Sequence, residues 1–275
     1  VHLFIGAASG WGKGYLAQAL IERNIRGDRF DRVVVLDTSD EFRGLCSQDH
    51  GPGYAKQWTA TPTEAGAFGP GEWRQLVEAN GALVVGRGVT KDDWRETVVP
   101  NVILGCRHSD DDVLIGIDEA HGVAPQRQGF PEATLELTTD GRTEGGAATS
   151  SMWLSQRPAT VDKNVIGNCT ARFLGGFEDT GTLGALDDVL PYRKDLHASG
   201  GQPVSITNDD LRGADGESVS VRKWTKPDED GEPQTVNSEW IYSDETGKLS
   251  RKESNDYNPR CDHVGASGKR IDVGV

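Results

Sequence analysis

Ile5-Gly6-Ala7-Ala8-Ser9-Gly10-Trp11-Gly12-Lys13-Gly14 is the stretch that decides how this chain folds. The residues before it, Val1-His2-Leu3-Phe4-Ile5, are apolar enough to be a buried strand. The residues after it, Tyr15 to Ile25, place Leu16, Leu20 and Ile21 on one helical face. A glycine-rich turn between a strand and a helix lets backbone N–H groups turn inward around phosphate oxygens. The helix adds the positive end of its dipole, and a lysine at position 13 reaches the β- and γ-phosphates. Ala8, Ser9, Gly10, Trp11, Gly12, Lys13, Gly14 and Tyr15 are therefore the candidate nucleotide-binding positions.

Two positions depart from the usual form of such a loop. Ala7 stands where the first glycine belongs, with Gly6 just before it. Gly14 stands where a Ser or Thr hydroxyl normally ligates magnesium. Ser9 or a water is the available substitute on sequence grounds, and metal affinity and turnover stay open at this point.

Outward from the loop, short apolar runs alternate with helical stretches, the pattern of βαβ units and a parallel sheet. Strands are expected at Arg32–Leu36, Ala82–Val85, Val113–Ile117, Ser150–Ser155 and Thr170–Leu174. Helices are expected at Glu72–Glu78, Asp92–Arg107 and Pro131–Thr139, and a short one at Asp179–Leu190. Past Gly175 the character changes. Ser218–Trp224 and Val236–Tyr242 read as a hairpin joined by the polar segment Pro227–Pro233, and the chain from Ser243 onward reads as a loose polar tail. Residues 1–180 are thus expected to form the core domain and 181–275 a C-terminal extension.

Val113-Leu114-Ile115-Gly116-Ile117 runs into Asp118-Glu119-Ala120-His121. A buried strand ending in two acids brings both carboxylates beside the phosphate loop. Asp118 would hold magnesium, commonly through water, and Glu119 would polarise the attacking water as general base. The alternative is a plain helix cap. His121 reads as a local hydrogen-bonding residue. Ser150-Ser151-Met152-Trp153-Leu154-Ser155 ends in Gln156-Arg157-Pro158, and a polar amide there can sense the γ-phosphate or orient water. The alternative is an ordinary strand exit.

Taken together, residues 1–180 resemble the HerA/FtsK superfamily of P-loop ATPases. The strand ending in Asp118-Glu119-Ala120-His121, the Gly141-Arg142 pair and the exit Gln156-Arg157-Pro158 carry the likeness. Val33-Val34-Val35-Leu36-Asp37 followed by Glu41-Phe42 looks like the family's second strand, and Asn168 with Thr170 to Arg172 like its last core strand. The resemblance implies a RecA-like (ASCE) three-layer α/β fold, with a mainly parallel central sheet carrying the hairpin and tail. It implies magnesium-ATP hydrolysis, a homo-oligomeric ring, commonly a hexamer, and double-stranded DNA in the central channel. It implies Gln156 as the sensor and Arg142 as the finger reaching a neighbour's nucleotide, with Arg172 as second candidate. Arg87, Lys91, Arg127 and Arg157 are candidate pore residues.

The bulk properties set further bounds. The formal net charge is -14, with Asp and Glu well in excess of Lys and Arg. A screened carboxylate surface of this kind suits high salt, where self-repulsion is weak and DNA contacts are weakened too. No apolar run is long enough to span a bilayer, so the chain is expected to be soluble and intracellular. The four cysteines form no CxxC pair, which argues against a zinc ribbon. The first strand opens at residue 1, without the N-terminal additions common in cellular members of the superfamily. The combination looks most like the packaging ATPase of a haloarchaeal virus, in the host cytoplasm or associated with the virion, with a capsid or membrane-vertex protein as a further partner. A Zot-like morphogenesis ATPase with little turnover is the alternative. A P-loop kinase is the remaining one, although it would want an arginine-rich lid where this chain has an acidic hairpin.

Overall fold

The computed structural model describes residues 1–139, 147–187, 189–228, 231 and 233–265. Ten strands form one sheet: β1 (His2–Gly6), β2 (Arg32–Asp37), β3 (Lys56–Ala60), β4 (Ala82–Arg87), β5 (Val113–Ile117), β6 (Thr149–Ser155), β7 (Ala171–Leu174), β8 (Lys223–Pro227), β9 (Pro233–Asp244) and β10 (Leu249–Glu253). Their order is β10-β9-β7-β1-β6-β5-β2-β4-β3, with β8 pairing β9 outside that path. From β7 to β3 every pair is parallel. The antiparallel strands β9 and β10 extend the sheet at one edge, where β9 pairs with β7.

The central strands β1, β2, β5 and β6 are buried almost throughout because helices or loops cover both faces. Nine helices were assigned among the described residues: α1 (Lys13–Ile25), α2 (Pro62–Ala67), α3 (Pro70–Glu78), α4 (Lys91–Asp93), α5 (Val99–Arg107), α6 (Ala120–Val123), α7 (Glu132–Thr139), α8 (Lys163–Asn168) and α9 (Thr180–Asp187). On one face Val34, Leu36, Ile115 and Ile117 pack with Trp73 of α3, Val102 and Ile103 of α5 and Leu137 of α7. On the other, Val33, Val35 and Leu114 share a core with Leu16 and Ile21 of α1, and with Trp240 and Ile241 of β9. Each fully buried Val or Leu stabilises such layers by about 1.5–3 kcal/mol.

Three sequence expectations are corrected. β3 was not foreseen: Lys56-Gln57-Trp58-Thr59-Ala60 has a single fully buried side chain, Ala60, and edge strands carry a weak hydrophobic signal. The first hairpin strand is Lys223–Pro227, not Ser218–Trp224; Val219 forms an isolated bridge with Pro203 instead. The segment after Ser243 is not loose over its described length. Leu249–Glu253 pairs with β9, and residues 260–263 dock on α1. Composition hid this because polar groups do the docking. Glu22 accepts the Arg260 and Cys261 N–H groups at 2.7 and 3.0 Å, and Gln18 donates to the Cys261 carbonyl at 2.9 Å.

The hairpin is tied to the phosphate loop through Trp11. Its indole is buried, and Nε1 donates to the Glu239 carbonyl at 3.1 Å. The buried Glu239 carboxylate accepts in turn from Arg222 and Arg251. The ring lies flush on Gly175 and Gly176: a Cβ on Gly176 would fall 2.3 Å from it. Gly176→Ala is therefore expected to cost about 1–3 kcal/mol by overpacking. Thermal denaturation should record the loss as a drop of several degrees. Gly184→Ala, in α9 with open space around its Cα, should leave the melting temperature unchanged or raise it.

Candidate active site

The phosphate loop sits at the C-terminal edge of the parallel strands, where β1 gives way to α1. Gly10 and Gly12 take φ of 69° and 90°, conformations that cost a side chain, and this opens the loop. Outside contacts brace it. The Ala8 N–H donates to the Gly176 carbonyl at 2.9 Å, and the Thr235 hydroxyl of β9 donates to the Gly10 carbonyl at 2.6 Å. A cavity of about 990 Å³ opens over the loop. Ala8, Ser9, Gly10, Gly12, Lys13, Gly14 and Tyr15 line it, as do Glu119 and Gln156. Trp11 does not: it points down into the core as the anchor described above.

β5 ends at Ile117, and the next two residues are the acids. Asp118 is fully buried. Its Oδ1 lies 3.5 Å from Lys13 Nζ, while Oδ2 has no hydrogen-bond partner among the described residues. Glu119 holds a left-handed backbone, φ 50° and ψ 51°. A non-glycine residue kept there stores strain, as functional positions often do. Gln156 Nε2 donates to Glu119 Oε1 at 3.1 Å, and His121 Nδ1 lies 2.9 Å from Oε2. Burial alone would raise the Glu119 carboxyl. His121, Lys13 and Arg157 outweigh it and hold the group below the ordinary glutamate range. Glu119 is thus ionised at neutral pH.

Sequence reasoning gave Glu41 only a place in the resemblance, yet it faces the same space. Glu41 lies after β2 and lines the phosphate cavity. Its turn is fixed by Asp37, whose carboxylate accepts the Glu41 and Phe42 N–H groups at 3.0 Å each. Lys13 thereby faces three carboxylates. Burial alone would depress it, but Asp118, Glu41 and Glu119 hold its ammonium above the ordinary lysine value. Burial in turn raises the Asp118 and Glu41 carboxyls, even against Lys13. One cation among three acids leaves an excess of negative charge.

His263 lies in the stretch read as a loose tail. It lines the cavity beside Gly14. Burial, with the Lys13 charge, lowers its pKa to about 4, so the ring is neutral. Lys223, Gln234 and Thr235 of the hairpin complete the far wall. No motif marks these residues; only the β9–β7 pairing brings them over the loop.

The donor set suits a magnesium-nucleotide complex. Among the described residues no three His, Cys, Asp or Glu side chains gather closely enough to hold a metal ion by themselves. Magnesium is ordinarily held by one or two carboxylates together with phosphate oxygens and water. The orphaned, buried Oδ2 of Asp118 and the surplus negative charge fit that role. Arg142 lies outside the described residues. Arg172 lies on β7 and donates to the Ile166 and Gly167 carbonyls, away from the phosphate cavity.

No family model matches the chain, and no curated protein matches it. The genome packaging NTPase B204 of Sulfolobus turreted icosahedral virus 2, in complex with ATP-gammaS, superposes with a TM-score of 0.55. The match covers 94% of this chain and 97% of that one, at 11% identity. B204 of Sulfolobus turreted icosahedral virus, a DNA-packaging ATPase, gives 0.53 over 91% and 95% at 12% identity. Likeness at such low identity establishes architecture: the chain has the RecA-like P-loop NTPase fold, extension included.

Asp37 gives this site a pH signature. Burial raises its carboxyl from 3.8 to about 6. Between those values the folded chain holds a proton that the unfolded chain has released. Stability therefore falls as pH rises through this window and levels off above it. The shift corresponds to roughly 3 kcal/mol. Chemical denaturation from pH 4 to 7 should record the fall, and Asp37→Asn should remove its share of the slope.

Proposed function

We propose that this chain is an ATP-hydrolysing motor that moves double-stranded DNA into a virus particle. The carrying observation is that Lys13, Glu119 and Gln156 line one cavity, with buried Asp118 3.5 Å from Lys13, in a chain matched over nearly its whole length by a packaging NTPase. Backbone N–H groups of Ser9, Gly10 and Gly12 to Gly14, with the Lys13 ammonium, hold the β- and γ-phosphates. Asp118 stands on the magnesium side, and bound magnesium would neutralise developing charge on the phosphates. Glu119, oriented by Gln156 and His121, accepts a proton from water as that water attacks the γ-phosphorus. The bond to the bridging oxygen breaks, and ADP and phosphate leave. Residues 1–180 form the ATPase core in this reading, and 181–275 the extension.

A second cavity supports the nucleic-acid side. About 440 Å³ in volume, it shares Glu119 and Gln156 with the first. Arg87, Lys91 and Arg157 line it, and among the described residues none of them forms an ion pair with a carboxylate. Three cations beside the general base are suited to a DNA phosphate whose arrival alters the base's surroundings. Arg127 is exposed and lies outside this cavity. The acidic surface and the requirement for an oligomeric ring, with Arg142 reaching across it, belong to the same reading: a closed ring retains DNA without tight binding. No helix among the described residues is long and apolar enough to cross a membrane, and a host-cytoplasmic or virion-associated place, with a capsid or vertex protein as partner, is part of the proposal.

Magnesium-dependent ATP hydrolysis in molar salt tests it. DNA should raise turnover, and Lys13→Ala and Glu119→Gln should each cut it by about a hundredfold or more. Arg157→Glu with Lys91→Glu should lower the DNA stimulation and flatten its salt dependence, since each lost phosphate contact removes about 0.9 from the log–log slope. A nucleotide-gated assembly protein is the second reading, favoured by the glycine at position 14. ATP binding without turnover under every DNA and salt condition would select it.

A further inference from the structure

Gly14 removes the hydroxyl that a loop of this kind usually turns toward magnesium, and the structure explains why no hydroxyl fits. A Cβ on Gly14 would fall 2.7 Å from Glu41 Oε2, 2.7 Å from His263 Cε1 and 2.9 Å from His263 Nε2. The volume that Ser or Thr would fill is already flanked by a carboxylate and an imidazole. Neither came from the loop itself: Glu41 is carried by the turn after β2 and His263 by the segment docked on α1.

The tautomer of His263 follows from its neighbours. Gln18 Nε2 donates to the carbonyls of Cys261 and Asp262, at 2.9 and 3.3 Å, and carbonyls only accept. The Gln18 amide is therefore fixed with Oε1 free to accept. His263 Nδ1 lies 3.2 Å from that Oε1 and must be the N–H donor. In the neutral ring Nε2 then carries a lone pair, and it is Nε2 that lies beside Gly14. The Glu41 carboxylate makes no hydrogen bond to any described residue through its side chain. Two unspent donor atoms thus meet at one point of the cavity wall, and Asp118 Oδ2, on the carboxylate beside Lys13, is buried without a partner.

We infer that Glu41 and His263 together replace the missing loop hydroxyl as the protein's ligands to the nucleotide-bound divalent cation. The inference rests on the nucleotide reading above and deepens it. It carries a consequence for metal choice. A hydroxyl oxygen suits magnesium, whereas an imidazole nitrogen favours manganese and cobalt relative to it. The chain should therefore hold Mn²⁺–nucleotide more tightly than Mg²⁺–nucleotide, and His263→Ala should erase much of that preference.

The test uses Mn²⁺ as probe on the full chain, with a non-hydrolysable ATP analogue. Nucleotide binding is measured first in EDTA, then Mn²⁺ binding to the nucleotide complex by electron paramagnetic resonance. Glu41→Gln, which keeps the shape, should weaken Mn²⁺ binding at least tenfold, while nucleotide binding in EDTA is retained or tightened because a carboxylate beside Lys13 is neutralised. Pulsed spectra of the parent should carry nitrogen coupling from an imidazole, and His263→Ala should abolish it. Gly14→Ser in a Glu41→Ala, His263→Ala background, where the crowding is gone, should recover Mn²⁺ binding without the nitrogen signal. Unchanged Mn²⁺ affinity in Glu41→Gln, or a parent spectrum without nitrogen coupling, overturns the inference while nucleotide binding stands. Absence of nucleotide binding with or without cation overturns the nucleotide reading itself.

Discussion

One ammonium group facing three carboxylates is the interaction on which the rest of the site depends. Lys13 cannot neutralise Asp118, Glu119 and Glu41 at once. The protein tolerates the imbalance in different ways at each acid. Glu119 is kept ionised by His121, Lys13 and Arg157, whereas buried Asp118 and Glu41 are pushed toward the protonated form. A buried charge surplus is costly, and a divalent cation reduces it. The fold therefore favours a cation at this point electrostatically. Strain points the same way: the residue held in the left-handed region at the end of β5 is Glu119 itself.

That site exists only because the sheet is parallel and its edge is extended. Seven parallel strands bring the ends of β1, β2, β5 and β6 to one side, and with them Gly6, Asp37, Asp118 and Gln156. The antiparallel extension then folds back over the same side. Trp11 couples the two parts. Its indole binds the Glu239 carbonyl, and Arg222 and Arg251 clamp the Glu239 side chain. This contact ties the hairpin to the phosphate loop, and the ring is packed closely against Gly175 and Gly176.

The core of this arrangement was legible in the sequence because burial leaves a strong imprint there. Val113–Ile117 is continuous apolar chain and folds as the expected strand, and Lys13, Glu119 and Gln156 meet at one cavity as their strand-end positions implied. The edge strand Lys56–Ala60 was not legible, since alternation is blurred where one side chain is fully buried. Nor were the docking of residues 260–263 and the role of Glu41. The former is held by Glu22 and Gln18, polar residues on a helix whose apolar face alone gave a signal. The latter depends on the capping of a turn by Asp37. Gly14 looked like a lost function in one dimension. In three it marks where two distant side chains enter.

The distance along the chain between those side chains has a consequence for biosynthesis. Gln18 and His263 touch although 245 positions separate them, and β1 is flanked by strands made much later, β6 and β7. A ribosome-bound chain that has emerged only as far as β7 has a phosphate loop with no far wall. It lacks the hairpin, the segment on α1 and the imidazole. The cavity is not closed on such an intermediate. Such long-range closure also slows folding.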